Sequence, residues 1–256
     1  MKIKNAAKEK IKNGQAIMGL RMDFGSPYII ERLAHIGFDF VLLDCEHSPM
    51  TEESCLDMVR ACEHVGLTPL VRVPSNRPEV ILHFLDLGAM GVIIPHCNTK
   101  EDAQHAVEAV KYPPEGIRGI AGRTQSLSEM PMAEYVVQAN KETMVVVQIE
   151  EAEALDNLSE IITTDGIDVL YIGRADLSLS LGIAGQVSHP KITEAVKKII
   201  TEGRAAGKAV GVGALPINDP KIAREFLNQG AQFFVLDSTS ILRNAAKELL
   251  QKIVSG

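Results

Sequence analysis

The stretch FVLLDCEHSPM, residues 40–50, starts as an unbroken apolar run and ends with Asp44, Glu46 and His47 inside four positions. A segment of helical period follows, EESCLDMVRACEHVG (52–66), and then a second apolar run, PLVRV (69–73). A strand whose residues do not alternate with polar ones is buried on both faces. Such strands joined by helices pair in parallel. The same rhythm runs along the chain, with apolar runs at 16–22, 40–44, 69–73, 91–95, 144–149, 168–172, 209–212 and 233–236. Between them lie helical segments such as PYIIERLAHIG, EVILHFLDLG, EDAQHAVEAVK and PKITEAVKKIITEGRAAG, most of them ending in a glycine stop. Eight such units in 256 residues match the size of an α/β protein of the (β/α)8 TIM-barrel type. A doubly wound open sheet is the alternative, although no G-x-G-x-x-G follows the first strand to support its dinucleotide-binding form. No linker or low-complexity tract interrupts the pattern, so residues 1–256 are expected to form one domain.

One insertion breaks the rhythm. Residues 112–140, YPPEGIRGIAGRTQSLSEMPMAEYVVQAN, separate the fourth and fifth strands by more than a helix. Its Pro-Pro start cannot continue a helix, and long loops in compact domains usually serve a function.

Composition narrows the function. A net charge of −7 offers no basic footprint for nucleic acid or anionic lipid. No apolar run approaches the roughly 20 residues of a membrane span, and the start MKIKNAAKEKIKNG lacks a signal-peptide core, so a cytoplasmic protein is expected. Cys45, Cys55, Cys62 and Cys97 show no C-x-x-C spacing and are expected as reduced packing residues.

In a barrel the C-terminal ends of the strands point into one shared mouth. There the sequence delivers Asp44, Glu46 and His47 after the second strand and Arg72 at the end of the third. Gln148 and Glu150 lie on one face of the fifth, with Arg174 and Asp176 just past the sixth. Taken singly, each has a structural reading: Arg72 as an ion-pair residue, Glu150 as an acid at a helix start, His47 as a turn histidine. The other six histidines, His96 among them, are expected at the surface or in packing. As a group the charges at one mouth are costly unless they bind something. Carboxylates on adjacent strands suit a hard divalent cation, Mg2+ or Mn2+, with open positions for substrate oxygens. Arg72 offers a planar fork for a carboxylate or developing enolate, and His47 has the pKa of a proton-transfer group. No lysine ends a strand, which disfavours a Schiff base. GVGALP (211–216) and DSTS (237–240) are the places where a phosphate cup would lie, as a minor alternative.

These residues sit in segments that resemble a known family. GLRMDFGSPYIIERLAHIGFDFVLLDCEHSP, PLVRVPSNRPEVILHFLDLGAMGVIIPHCNT, YPPEGIRGIAG, VVVQIEEAEALDNL and LYIGRADLSLSLG are similar to the HpcH/HpaI metal-dependent pyruvate aldolases. That group includes the 4-hydroxy-2-oxoheptanedioate and 2-dehydro-3-deoxyglucarate aldolases. The resemblance covers nearly the whole chain and implies a TIM barrel with a divalent metal at Glu150 and Asp176; Mg2+ or Mn2+ is favoured and Co2+ is the alternative. It implies that a 4-hydroxy-2-oxo acid is cleaved to pyruvate and an aldehyde through a metal-stabilised pyruvate enolate. His47, Arg72 and Asp86 are then catalytic, while Gln148, Arg72, Arg174 and Ala175 bind substrate. Asp86 enters only through the resemblance, which has it approach the catalytic histidine of an adjacent subunit in a homo-oligomer, commonly a hexamer.

Two features depart from the family pattern. Arg174 stands where proline is common, beside Asp176, and is expected to favour acceptors carrying negative charge. GIAGRTQSLSEM differs from the usual sequence after YPPxGIRG, which bears on the half of the site receiving the aldehyde. Relatives that direct the enolate to another electrophile, citryl/malyl-thioester lyases and macrophomate synthase, are the alternative; a thioester would need a basic entrance, for which only Arg118, Arg123 and Arg174 qualify. A non-catalytic binding protein on the same barrel is the third reading.

Overall fold

The computed structural model describes residues 3–213 and 220–254. Eight parallel strands close into a barrel in sequence order. They are β1 (Ile17–Met22), β2 (Phe40–Asp44), β3 (Thr68–Arg72), β4 (Gly91–Ile94), β5 (Met144–Ile149), β6 (Val169–Ile172), β7 (Ala209–Val212) and β8 (Phe233–Asp237). This is the barrel the strand–helix rhythm predicts, and the open-sheet alternative falls away.

Two cores explain why the strands show no polar alternation. One side of each strand, including Val41, Leu43, Val71, Val92, Val145, Val147 and Val210, packs outward against the helices. The other side, including Ile17, Phe40, Leu42, Leu70, Ile93, Val146, Tyr171 and Phe233, fills the barrel, with Ala7 of the Ala6–Lys12 helix closing its base. The Phe40 and Phe233 rings stack at 4.6 Å across the lumen. Only glycine fits beside them at position 19, where a Cβ would come within 2.2 Å of the Phe40 ring.

Above those apolar layers the inward positions turn polar, and parallel register sets the partners. Asp44 lies opposite Arg72, Arg21 opposite Asp237, and Gln148 opposite Tyr171. The turn after β2 runs into the Glu52–Val65 helix, whose start is closed by a reciprocal Thr51–Ser54 capping box and whose end is Gly66 at φ 77°.

The insertion lies at the opposite end of this chain's barrel. It joins a helix to the start of β5, and a helix-to-strand connection returns to the N-terminal face. There Tyr112, Tyr135 and Ala139 form a small core against Ile3. Arg118 pairs with Asp86 at 3.2 Å, and Arg123 pairs with Glu63 at 2.8 Å. These two arginines therefore provide no basic entrance at the mouth of their own barrel, and the 118–130 segment does not line that mouth. All four cysteines are free and buried; burial pushes the Cys62 and Cys97 thiols up to about 12, as packing residues require. Among the described residues no helix is long and apolar enough to cross a membrane.

Candidate active site

The mouth is organised around Asp44 and Arg72. Asp44 Oδ1 accepts from Arg72 Nε at 3.0 Å and Oδ2 from Arg72 Nη2 at 2.5 Å. Oδ1 also accepts the backbone N–H groups of Glu46 and His47 at 3.2 and 3.3 Å, which folds the turn back over the strand end. Burial pushes the Asp44 carboxyl up, but the hydrogen bonds and charge of Arg72 outweigh it and hold the group below the usual carboxylate range. Arg72 thus spends its Nε–Nη2 edge on Asp44 and keeps Nη1 for something else.

Glu46 and His47 stand next to that pair. The Glu46 side chain is 8% exposed; its Oε2 lies 3.2 Å from Arg72 Nε and 3.5 Å from His47 Nε2. The His47 ring is 62% exposed, open to whatever enters. Burial pushes Glu46 above the usual range, offset only in part by Arg72, His47 and His96.

Glu150 follows β5 and is buried at 2% exposure. Gln148 Nε2 donates to its Oε2, and the backbone N–H of His96 donates to its Oε1 at 2.9 Å. Burial raises its pKa, these donors lower it, and the Asp176 charge raises it again. Asp176 lies in the first turn of the Arg174–Ser180 helix and, like Ala175, is exposed to solvent. Gly173 makes the close approach of β5 and β6 workable there, since a Cβ would sit 2.8 Å from Glu150 Oε2.

Two acids pressing on each other, one of them buried and held by two N–H donors, fit a cation that takes the remaining lone pairs. Among the described residues no three His, Cys, Asp or Glu side chains form a metal cage. A cation held by Glu150 and Asp176 would therefore keep several positions for water or substrate oxygens.

Two outcomes, at His96 and Arg174, differ from the sequence expectations. His96 is neither surface filler nor packing. It follows β4 with φ 54°, and its Nδ1 lies 2.6 Å from Glu151 Oε1 and its Nε2 3.5 Å from Glu46 Oε1. Burial opposes its charged form, but Glu151, Glu150 and Glu46 carry its pKa above the ordinary value. The strand-end rule that flagged Arg72 would have flagged it in GVIIPHCNT. Arg174 turns inward: it is 5% exposed, lies 5.3 Å from the Phe226 ring and donates to the Gly213 carbonyl at 3.4 Å. Burial drives its pKa down. Asp86 sits near the end of the Pro78–Leu87 helix against Arg118, on the far side of its own barrel from His47.

The Arg21–Asp237 ion pair also went unflagged; it closes the β1–β8 side of the mouth. For the phosphate cup, residues 214–216 lie outside the described residues. The 237–240 segment is engaged by acids, with Ser240 N donating to Asp237 Oδ1 at 2.7 Å and Thr239 Oγ1 to Asp23 Oδ1 at 2.7 Å.

A profile of HpcH/HpaI aldolase/citrate lyases matches residues 19–243. Over 248 residues the chain is 39% identical to a 4-hydroxy-2-oxo-heptane-1,7-dioate aldolase of Salmonella paratyphi C (strain RKS4594), covering 95% of this chain and 92% of the relative. Among solved structures, an HpcH/HpaI aldolase/citrate lyase family protein from Burkholderia cenocepacia J2315 superposes with a TM-score of 0.90 at 32% identity, over 97% of this chain and 99% of that one. The structure of citrate synthase SbnG superposes with a TM-score of 0.88 at 31% identity, over 99% of each chain.

Proposed function

The chain belongs to the HpcH/HpaI aldolase/citrate lyase family, and from that premise we propose that its mouth cleaves a 4-hydroxy-2-oxo acid with Glu150 and Asp176 as metal ligands. The protein is a class II pyruvate aldolase, a carbon–carbon lyase acting on small molecules. What carries the site assignment is the Glu150 carboxylate, buried, held by Gln148 and the His96 N–H, and pressed by the Asp176 charge.

The all-oxygen donor pair suits Mg2+ or Mn2+, with Co2+ as the alternative. When bound, a divalent cation supplies Lewis-acid polarisation of the substrate's 2-oxo and carboxylate groups. The chain's own residues do the rest. Gln148 fixes the Glu150 carboxylate in place. Asp44 orients Arg72 so that its remaining N–H groups meet the negative charge that develops on the 2-oxo oxygen. His47 takes the proton of the 4-hydroxyl as the C3–C4 bond breaks and the aldehyde leaves, and a proton delivered to C3 completes pyruvate. Ala175, exposed in the same turn as Asp176, borders the substrate.

A homo-oligomer belongs to the same proposal. Asp86 cannot serve its own His47 from the far face, so a neighbouring subunit has to bring the two together. Leu242, Leu249, Leu250 and Ile253, exposed on the Ser238–Val254 helix, suit burial against a neighbour. A different electrophile is the second reading, favoured by the likeness to citrate synthase SbnG. The remoteness of Arg118 and Arg123 from the mouth counts against its thioester form.

Deuterium exchange tests the assignment without knowledge of the aldehyde. The protein should exchange pyruvate's methyl protons with D2O, followed by NMR, only with a divalent ion present, and His47→Ala should slow the exchange about 100-fold. No exchange above the metal-only control would remove pyruvate enolisation from this site.

A further inference from the structure

The loop after β4 holds a backbone conformation that needs a cause. His96 has φ 54°, a left-handed value that a Cβ disfavours and that glycine or asparagine usually occupies. Packing of its ring is not the reason, since the side chain is 60% exposed. The chain on either side is pinned. Pro95 fixes its own φ, and the N–H groups of Asn98 and Thr99 both donate to Asp102 Oδ2, at 3.0 and 2.9 Å. Between these points the left-handed turn sets the plane of the 95–96 peptide, whose N–H donates to Glu150 Oε1 at 2.9 Å.

One carboxylate grips that turn from β5. His96 Nδ1 lies 2.6 Å from Glu151 Oε1, and because a carboxylate only accepts, Nδ1 carries the hydrogen. Glu151 Oε2 accepts from Asn98 Nδ2 at 2.8 Å. Glu151 thus bridges the two residues that flank the buried Cys97. The Ala152–Asp156 helix backs the bridge at both ends. Glu151 is its N-cap, and Asn157, its C-cap, donates from Nδ2 to the Asn98 carbonyl at 2.9 Å.

We propose that Glu151 is a positioning residue for the Glu150 carboxylate: by clamping His96 and Asn98 it keeps His96 left-handed, and so keeps the His96 N–H on Glu150 Oε1. The inference rests on Glu150 being a metal ligand. With Gln148 Nε2 on Oε2 and the His96 N–H on Oε1, each Glu150 oxygen has one donor and a lone pair left for a cation. Without the clamp the loop relaxes toward negative φ, Oε1 loses its donor, and the carboxylate turns about its last torsion. A cation then has to order it on binding, which weakens affinity. Both Glu151 oxygens are taken by the loop, so its part is geometric and not ligation.

Mn2+ titration of the metal-free protein by calorimetry tests this. Glu151→Ala and His96→Ala should each weaken binding about tenfold or more, the range of a lost hydrogen bond behind a ligand. Glu151→Gln can still accept from His96 and can donate to the otherwise unbonded Asn98 Oδ1, and should weaken binding by less than about threefold. His96→Gly adopts the left-handed turn without help and should recover most of the His96→Ala loss. In that glycine background Glu151→Ala should cost less than about twofold more. Glu151→Gln as damaging as Glu151→Ala would make the acid's charge the cause and overturn the proposal. An undiminished tenfold cost of Glu151→Ala beside glycine would overturn it too, as general loosening of the site. If Glu150→Ala abolishes binding while Glu151→Ala leaves it at the parent's level, this inference alone falls. A parent that binds no Mn2+, or a Glu150→Ala variant that binds it fully, would bring down the metal-ligand reading and the inference with it.

Discussion

Both ends of the barrel bury charge, and the lysines of one end are treated differently from the acids of the other. At the N-terminal face Lys8 Nζ donates to the Thr143 carbonyl and to Asp168 Oδ2, both at 2.8 Å. Lys111 Nζ donates to the Asn140 and Thr143 carbonyls at 2.6 and 2.8 Å. Every acceptor there belongs to the chain. At the C-terminal mouth Glu46 Oε2 and Gln148 Oε1 are buried without a hydrogen bond among the described residues, and burial raises Glu46 and Glu150 above the carboxylate range. The lysines at the base are satisfied by the fold and serve it. The acids at the mouth are left short and await something the fold does not contain. Substitutions at the two ends should accordingly fail in different ways, activity above and stability below.

The largest effect is expected at the proposed metal ligands. Glu150→Ala and Asp176→Ala should each lower metal-dependent turnover about 1000-fold or more, with urea unfolding midpoints unchanged or higher because mutual repulsion is relieved. Calorimetry should find divalent-ion binding lost. Retention of full, chelator-sensitive activity in both variants would dissolve the distinction between the two ends.

Lys8→Met should show the reverse signature. It strips the cation from Asp168 in a nearly dry setting, where the Lys8 side chain is 7% exposed, and should cost about 3 kcal/mol of unfolding free energy. Turnover per folded molecule should stay within about twofold. A loss of kcat with intact stability would mean that the base communicates with the mouth.

Arg72→Lys keeps the charge but removes the fork on which Asp44 closes with two donors. Turnover should fall about 30-fold, since one ammonium cannot both hold Asp44 and meet the developing oxyanion. Near-normal turnover would reduce Arg72 to an ion-pair partner. The same pair gives a pH sign. Asp44 has a depressed folded pKa, so its contribution to stability is complete above the ordinary carboxylate pKa. It is lost as pH falls through the lower folded value. Acid unfolding of Arg72→Lys should accordingly begin at higher pH than that of the parent.

What the sequence made legible follows the distance over which each cause acts. Strand positions were legible to within a residue because burial on both faces writes continuous apolar runs, as at Phe40–Asp44, Met144–Ile149 and Ala209–Val212. Asp44, Arg72, Gln148 and Glu150 were legible because strand ends converge in a barrel. The same rule reaches the position of His96 after β4 but not its role, which depends on an acid 50 or more residues away on the next strand and on a left-handed backbone that no local pattern announces. The Arg21–Asp237 pair joins the first and last strands, which only closure of the barrel brings together. The face occupied by the 112–140 insertion needed chain direction, not composition.

The smallest effect is expected at Arg174, where the sequence suggested one of the more specific roles. A cation next to Asp176 in the sequence should draw negatively charged aldehydes if it stood in the mouth, and salt would screen the attraction. The structure turns the guanidinium inward, against the Phe226 ring and the Gly213 carbonyl, and leaves Asp176 exposed on the other side of the turn. A buried cation acts on packing more than on a substrate at the rim. Arg174→Met, which keeps most of the apolar stem, should therefore shift the turnover ratio between a carboxylate-bearing and a neutral aldehyde by less than about twofold, equivalent to about 0.4 kcal/mol. The ratio should also show the same salt dependence as the parent's. A tenfold fall in the ratio that vanishes at high salt would return Arg174 to the acceptor half of the site. It would also show that charge at the mouth is set by a residue the fold holds beneath it.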